Sequence, residues 1–286
     1  MTVEEPLVIQ CEGARLIGIL HRPAQPQPRA VLVIVGGPQY RVGSHRQFVL
    51  LARYLADRGY PVLRFDYRSM GDSEGLDIHF ENAGADVRAA LDALVRATGS
   101  GEIVIWGLCD AASAALLHAA VDERVRGLVL VNPWVRQEQS QARAHLQHYY
   151  SAKLLDREQW RRLLTGRVNV IKSGIDLLRT LRTSFGAGSA PGKTQASAPG
   201  GSGRSFVAGM LEGLERFRGK VLLILSGDDL TAAEFKDTAK HSRRWSRALA
   251  RKSVARADLP EANHTFSKAV WRDEVAARTA EWLESL

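Results

Sequence analysis

Between residues 101 and 120 a short apolar run meets a helix-forming run with almost no room for a loop. Residues 103–106 are Ile, Val, Ile and Trp, the β-branched and aromatic types that suit a strand, and residues 111–120 are mostly Ala and Leu. The joint is Gly107-Leu108-Cys109-Asp110-Ala111. A turn this tight presses together the residues two before and two after its centre. Only Gly or Ala fits at those places, and Gly107 and Ala111 occupy them. The spacing is that of a nucleophile elbow, with cysteine where serine is usual. Such a turn lifts Cys109 above the sheet and leaves the Asp110 N–H at the helix start, facing a developing oxyanion. Taken alone, the window also fits a buried structural cysteine in an ordinary strand–helix joint.

The rest of the chain supplies a frame for that joint. Residues 7–11 and 16–21 flank Glu-Gly-Ala-Arg as an antiparallel hairpin. A proline-rich link leads to residues 30–35, a continuous apolar run expected of a strand buried on both faces. Ser44 is placed to cap a helix over 45–58, and Gly59 ends it. Residues 60–66 form the next strand and 67–75 a polar, Gly-rich loop, in which Asp66 and Arg68 are expected to pair structurally. A helix over 82–97, the elbow, and a strand over 125–132 follow. Strands alternating with helices predict an α/β fold, with a mostly parallel central sheet covered by helices on both faces.

The alternation stops at Pro133 and resumes at residues 221–225. The core is therefore expected over 1–135 and 220–286, with 136–219 a helical lid insertion containing helices over 142–155, 157–164 and 171–181. Residues 186–203, rich in Gly, Ser, Ala and Pro, read as its flexible part. Trp134, Tyr149, Tyr150, Trp160 and Phe185 either line an acyl pocket or pack the lid itself. The charge is concentrated there: residues 136–219 hold 14 of the 39 basic and 6 of the 31 acidic residues, so the remainder of this +8 chain is balanced. That bias fits a solvated surface, or attraction of an anionic ligand such as a CoA or carrier phosphate, or an acidic membrane or carrier surface.

After residues 221–225 come Asp228 and Asp229, then Thr231 and Glu234 at capping-box spacing, which starts a basic helix. A carboxylate at a strand's C-terminal end can fix a histidine's tautomer and support its imidazolium. Asp229 is the expected acid, with Asp228 the alternative. A strand over 253–259 leads to a loop carrying His264, and a helix over 267–286 closes the chain. Of the eight histidines, only His264 follows a late strand beyond the acid, whereas His241 sits mid-helix among cations. The order Cys109, Asp229, His264 is nucleophile, acid, histidine.

No apolar run is long enough to span a bilayer, and the acidic N-terminus lacks the apolar core of a signal peptide. Two cysteines, Cys11 and Cys109, make no disulfide framework, so a reducing cytoplasm is expected. Neither HxxxH nor paired cysteines suggest a metal, and no P-loop or GxGxxG suggests a nucleotide cofactor; none is expected.

The runs GGPQYRVGSHRQF at 36–48, GLCDAAS at 107–113, NPWVR at 132–136 and LSGDDLT at 225–231 resemble the type 1 exosortase A system-associated hydrolases, over nearly the whole chain. The resemblance implies an α/β-hydrolase fold in a Gram-negative bacterium. It also implies a link to exosortase sorting and exopolysaccharide synthesis, with an acyl-CoA-ligase-like protein and a second hydrolase as companions. It supplies no substrate. Many such hydrolases carry His-Gly-Gly-Pro after the third strand. Here Val35 replaces the His, and Gly37 becomes the second oxyanion donor beside Asp110, unless Gly36-Gly37 is a plain turn. Pro38 has no N–H to offer. Ser69 stands where most α/β-hydrolases have Gly.

The expected chemistry is attack of Cys109 on an acyl ester or thioester, with His264 as base and Asp229 as its support. Two other readings remain open. One is a non-catalytic accessory protein that binds an acylated or anionic partner. The other is a dienelactone-hydrolase-like enzyme for small esters.

Overall fold

The computed structural model describes residues 2–37, 39–119, 122–136 and 205–286. The chain divides into two compact units, residues 1–140 with 204–286, and residues 141–203; the described residues all belong to the first. The three lid helices expected over 142–181, the flexible 186–203 segment and Tyr149, Tyr150, Trp160 and Phe185 lie outside the described residues.

The N-terminal hairpin pairs β1 (Val3–Cys11) with β2 (Ala14–Arg22), Cys11 opposite Ala14. Its two-residue turn, Glu12-Gly13, takes positive φ at both residues (46° and 82°), which matches the right-handed twist of the strands. Strands β3 (Arg29–Ile34), β4 (Val62–Phe65), β5 (Glu102–Leu108), β6 (Val125–Val131), β7 (Lys220–Asp228) and β8 (Val254–Asn263) complete one eight-stranded sheet in the order β1-β2-β4-β3-β5-β6-β7-β8. Pairing is parallel from β4 through β8 and antiparallel at β1–β2 and β2–β4. The expected mostly parallel sheet is therefore present. Its centre is dry, with residues 30–35 and 103–106 all buried.

Helices α1 (Gln47–Ala56), α2 (Gly84–Thr98), α3 (Asp110–His118), α5 (Leu230–His241) and α7 (Ala269–Glu284) pack on this sheet, while α4 (Phe206–Arg216) packs on α3 and α6 (Arg243–Leu249) on α4 and α5. From α1, Phe48 meets Trp106 of β5 edge-on, ring centroids 5.6 Å apart. Helix α7 sets Trp282 over Gly127 on the neighbouring strand. Among the described residues no helix is long and apolar enough to cross a membrane.

Long-range contacts displace several local expectations. Ser44 does not cap α1. Residues Ser44–Arg46 form a 3-10 turn with His45 and Arg46 at positive φ, and α1 starts at Gln47. Asp66 and Arg68 do not pair with each other. Asp66 holds Arg41, while Arg68 binds Asp86 through Nη2 at 2.8 Å and also Glu12. Asp86 is fully buried in the first turn of α2, so it needs a cation brought to it, and Arg68 is the one in reach. Helix α4 was expected to belong to the insertion. Its Met210, Leu211 and Leu214 instead join the main core against α3, so the core resumes near 204 rather than at 220. Strand β8 continues through Pro260 to Asn263, and as an edge strand it tolerates proline.

Buried polar groups under β2 and β4 give a pH dependence to folding. His21 is fully buried, and Arg64 Nε donates to its Nε2 at 2.9 Å. Burial, then the Arg64 charge, pull His21 from 6.5 down to about 4. Between about pH 4 and 6.5 only the unfolded chain takes up that proton, so stability falls as pH drops through this window. The full loss is up to about 3 kcal/mol. Melting curves from pH 7 to 4 should show a steep decline that His21→Gln flattens; parallel decline in both proteins would assign the acid lability elsewhere.

Candidate active site

The strand-to-helix joint has the strain an elbow requires. Cys109 sits at φ 64°, ψ −125°, a conformation that costs a non-glycine residue on the order of 1–3 kcal/mol. Its surroundings hold it there. The Cys109 N–H donates to Val131 O at 2.9 Å, and its carbonyl accepts from the N–H of Ala112 (3.1 Å), Trp134 (3.2 Å) and Ser113 (3.3 Å). A Cβ on Gly107 would stand 2.7 Å from the Ala111 carbonyl, so no larger residue permits the turn. Ala111 is fully buried at the matching place. The Asp110 N–H opens α3 beside the Cys109 thiol.

The acid and histidine arrive from the far edge of the sheet. A bulge between Ser226 and Asp228 sets Asp228 opposite Asn263, which brings the residue after each strand, Asp229 and His264, together. His264 Nδ1 lies 2.9 Å from Asp229 Oδ2. Asp229 is buried and is itself the N-cap of α5, accepting from the N–H of Thr231 (3.0 Å) and Ala232 (3.3 Å). The capping box expected of Thr231 and Glu234 does not form. Glu234 is buried and instead binds Arg136 Nε at 3.1 Å, and Arg136 stacks over Trp134 at 4.7 Å. Asp228 is exposed and makes no contact with His264.

Cys109, Asp110 and His264 line one cavity of about 860 Å³. Its walls are largely apolar, from Tyr40, Met70, Ile78, Phe80 and Trp134. Of the two roles open to Trp134 in the sequence, it takes a place on this cavity wall. The contribution of residues 77–80 was not foreseen; their signal is position, since the segment precedes α2 at the C-terminal edge of the strands, where open α/β sheets bind ligands. Ser69, the departure noted above, lies at φ 65° on the same wall, in the left-handed region that glycine takes at no cost. Among the described residues Cys109 makes no hydrogen bond to His264, and none of the His, Cys, Asp and Glu side chains cluster as a metal site.

Gly37 is on the cavity wall as expected, but its N–H is engaged, donating to Asp110 Oδ2 at 2.7 Å. That carboxylate also bears on the Cys109 thiol. Burial, then the Asp110 charge, push the Cys109 thiol up to about 12, against the opposing pull of the Asp110 N–H and the more distant Arg136. The resting sulfur is therefore a neutral thiol, and its thiolate fraction grows about tenfold per pH unit without levelling off below pH 10. Iodoacetamide labelling of Cys109, located by peptide mapping, should be slower than that of a free thiol at pH 8 and still rising at pH 10. A plateau near pH 7 would mean a preformed thiolate.

The solved structures that the fold matches include three of direct interest. The Pyrococcus furiosus esterase Pf2001 aligns at a TM-score of 0.65 and 18% identity, over 99% of this chain and 93% of its own. Est1E from Butyrivibrio proteoclasticus, in a complex with ferulic acid, aligns at 0.63 and 16%, over 98% of both chains. An α-β serine hydrolase homologue from Coxiella burnetii aligns at 0.59 and 16%, over 99% and 98%. At such identities the likeness is one of fold. A search of curated proteins finds no match. The family model that does match is the alpha/beta hydrolase family, over residues 31–281, and with the strained elbow at Cys109 inside that span the chain belongs to this family.

Proposed function

We propose that this protein is a cysteine-dependent hydrolase that cleaves an acyl ester or thioester through an acyl-enzyme on Cys109. The observation that carries the reading is the strained Cys109 elbow sharing one cavity with a histidine whose Nδ1 is held by a buried carboxylate. With Nδ1 bound to Asp229, the His264 Nε2 is left as the proton acceptor. It takes the Cys109 proton as Sγ attacks the acyl carbonyl, and the carbonyl π electrons move onto oxygen. The Asp110 N–H, and the Gly37 N–H once released by the Asp110 carboxylate, receive that oxyanion. Collapse expels the alkoxide or thiolate, which leaves with the proton from His264. Water, deprotonated by the same Nε2, then cleaves the thioester link and restores the thiol.

The nucleophile's chemistry supports thioesters and activated esters over amides, because passing an acyl group from one sulfur to another is nearly isoenergetic. The apolar wall from Tyr40 to Trp134 fits an acyl chain or ring. The four motifs shared with the exosortase A system-associated hydrolases favour a role beside exosortase and exopolysaccharide machinery, with the substrate linked to CoA or a carrier. A free thiol at the centre suits the cytoplasm.

A panel of p-nitrophenyl esters and acyl-CoA thioesters tests the reading. Cys109→Ala should remove at least three orders of magnitude of kcat while the melting temperature stays close to wild type. Asp229→Asn should cost far more than Asp228→Asn. More than a tenth of the activity surviving in Cys109→Ala would sink the nucleophile assignment, and the reverse ranking of the two aspartates would move the acid to Asp228.

A further inference from the structure

The mechanism above asks the side chain of Asp110 only to let go of the Gly37 N–H, yet that side chain is tightly fitted against the glycine loop. Its Oδ2 accepts the Gly37 N–H at 2.7 Å, and its Oδ1 is buried beside the Ala111 and Asp110 N–H groups without a well-formed hydrogen bond to either. An added Cβ on Gly36 would stand 1.9 Å from Oδ1, so the glycine there makes room for the carboxylate. A buried carboxylate oxygen without a well-formed hydrogen bond costs stability, up to about 1–3 kcal/mol where no donor at all is near. The donor it holds is on the loop after β3, which packs against the start of α3 and lines the same cavity as Cys109, where a tetrahedral intermediate would seek a second hydrogen bond.

We propose that the Asp110 side chain is a gate on the oxyanion site: in the resting protein it occupies the Gly37 N–H, and it must give up that donor before an acyl oxygen can bind both N–H groups. Asp110 is thus a positioning residue acting through Gly37, and its backbone N–H remains the first donor in either state. The inference rests on the hydrolase reading for its purpose but not for its test. The titratable groups facing the carboxyl are Cys109 beside it, Tyr67 from the loop after β4, and His79 from the segment before α2. Burial pushes the Asp110 carboxyl up, opposed by its backbone donors and by His79. A protonated carboxyl is a weaker acceptor, so the gate loosens as pH falls, whereas the thiolate fraction still shrinks with every step down in pH. Opening and thiolate formation thus have opposite pH dependences.

Two reagents separate the gate from simple charge repulsion. Iodoacetamide alkylates Cys109 without forming an oxyanion. A phenyl trifluoromethyl ketone adds the sulfur to its carbonyl carbon; the oxygen takes up the π electrons as an oxyanion, the thiol proton passes to His264, and nothing leaves. Asp110→Asn keeps an acceptor on the Gly37 N–H but removes the charge, whereas Asp110→Ala frees the N–H; both retain the backbone N–H of residue 110. Alkylation at pH 8 should be about tenfold faster than wild type in both variants, and equal between them. Ketone affinity, read by ¹⁹F NMR, should rise in the order wild type, Asp110→Asn, Asp110→Ala, the last step by at least about tenfold, as expected for one oxyanion donor gained. An Asp110→Ala adduct no tighter than that of Asp110→Asn, or no adduct in any of the three, would overturn the gate. Absence of turnover on every ester and thioester, with this affinity order intact, would instead remove the hydrolase reading and leave the gate standing.

Discussion

The contact on which the site depends is the one between Gly107 and the first turn of α3. A strand that becomes a helix without a loop must bring those two backbones within van der Waals distance, and a Cβ at Gly107 would meet the Ala111 carbonyl at 2.7 Å. The residue between them pays with its dihedral angles. Cys109 holds φ 64° because four backbone groups from β6, α3 and the segment after β6 bond its N–H and carbonyl. The strain is thus stored in the middle of the sheet, where β5 is buried between β3 and β6 and cannot relax. The nucleophile's position is in this sense a property of the core.

Two carboxylates flank the catalytic group and are treated in opposite ways. Asp229 receives three donors, from Thr231, Ala232 and His264, so its charge is met wherever it points. Asp110 receives the Gly37 N–H on one oxygen and no well-formed hydrogen bond on the other. Environments that separate two like groups in this manner assign them different duties. Asp229 is suited to hold a histidine in one orientation through a change of charge. Asp110 is suited to move, because one oxygen has no bond to lose and the other holds a donor that a substrate also wants.

Much of the frame was legible in the sequence because its signals are local. The buried runs at 30–35 and 103–106 and the five-residue joint each state their structure within a few positions, and the order of Cys109, Asp229 and His264 follows from the strand count. The features that escaped are decided by partners far away in the chain. Arg68 is drawn off Asp66 by a buried Asp86 in α2, and Glu234 leaves the expected capping box for Arg136 about a hundred residues upstream. The cap itself passes to Asp229, so one carboxylate both starts α5 and supports His264. Helix α4 looked like part of the insertion because it follows the Gly/Ser/Ala/Pro run. Its apolar face, however, matches α3, which composition does not reveal. The Asp110–Gly37 bond joins two motifs 73 residues apart, a pairing that neither motif's local sequence signals.

A cysteine in this elbow behaves differently from the cysteine of a thiolate–imidazolium pair. With its thiol pushed up to about 12 by burial and by Asp110, Cys109 keeps its proton at rest, and no bond to His264 is in place to remove it. On the proposed mechanism, proton transfer then accompanies attack, as it does for serine, rather than preceding it. The consequence is selectivity. A resting thiolate reacts with any soft electrophile and climbs the oxidation ladder readily, whereas a neutral thiol is slow in both. In the proposed gate, an acyl oxygen that displaces the carboxylate from Gly37 removes the nearest negative charge from the sulfur in the same motion that completes the oxyanion site.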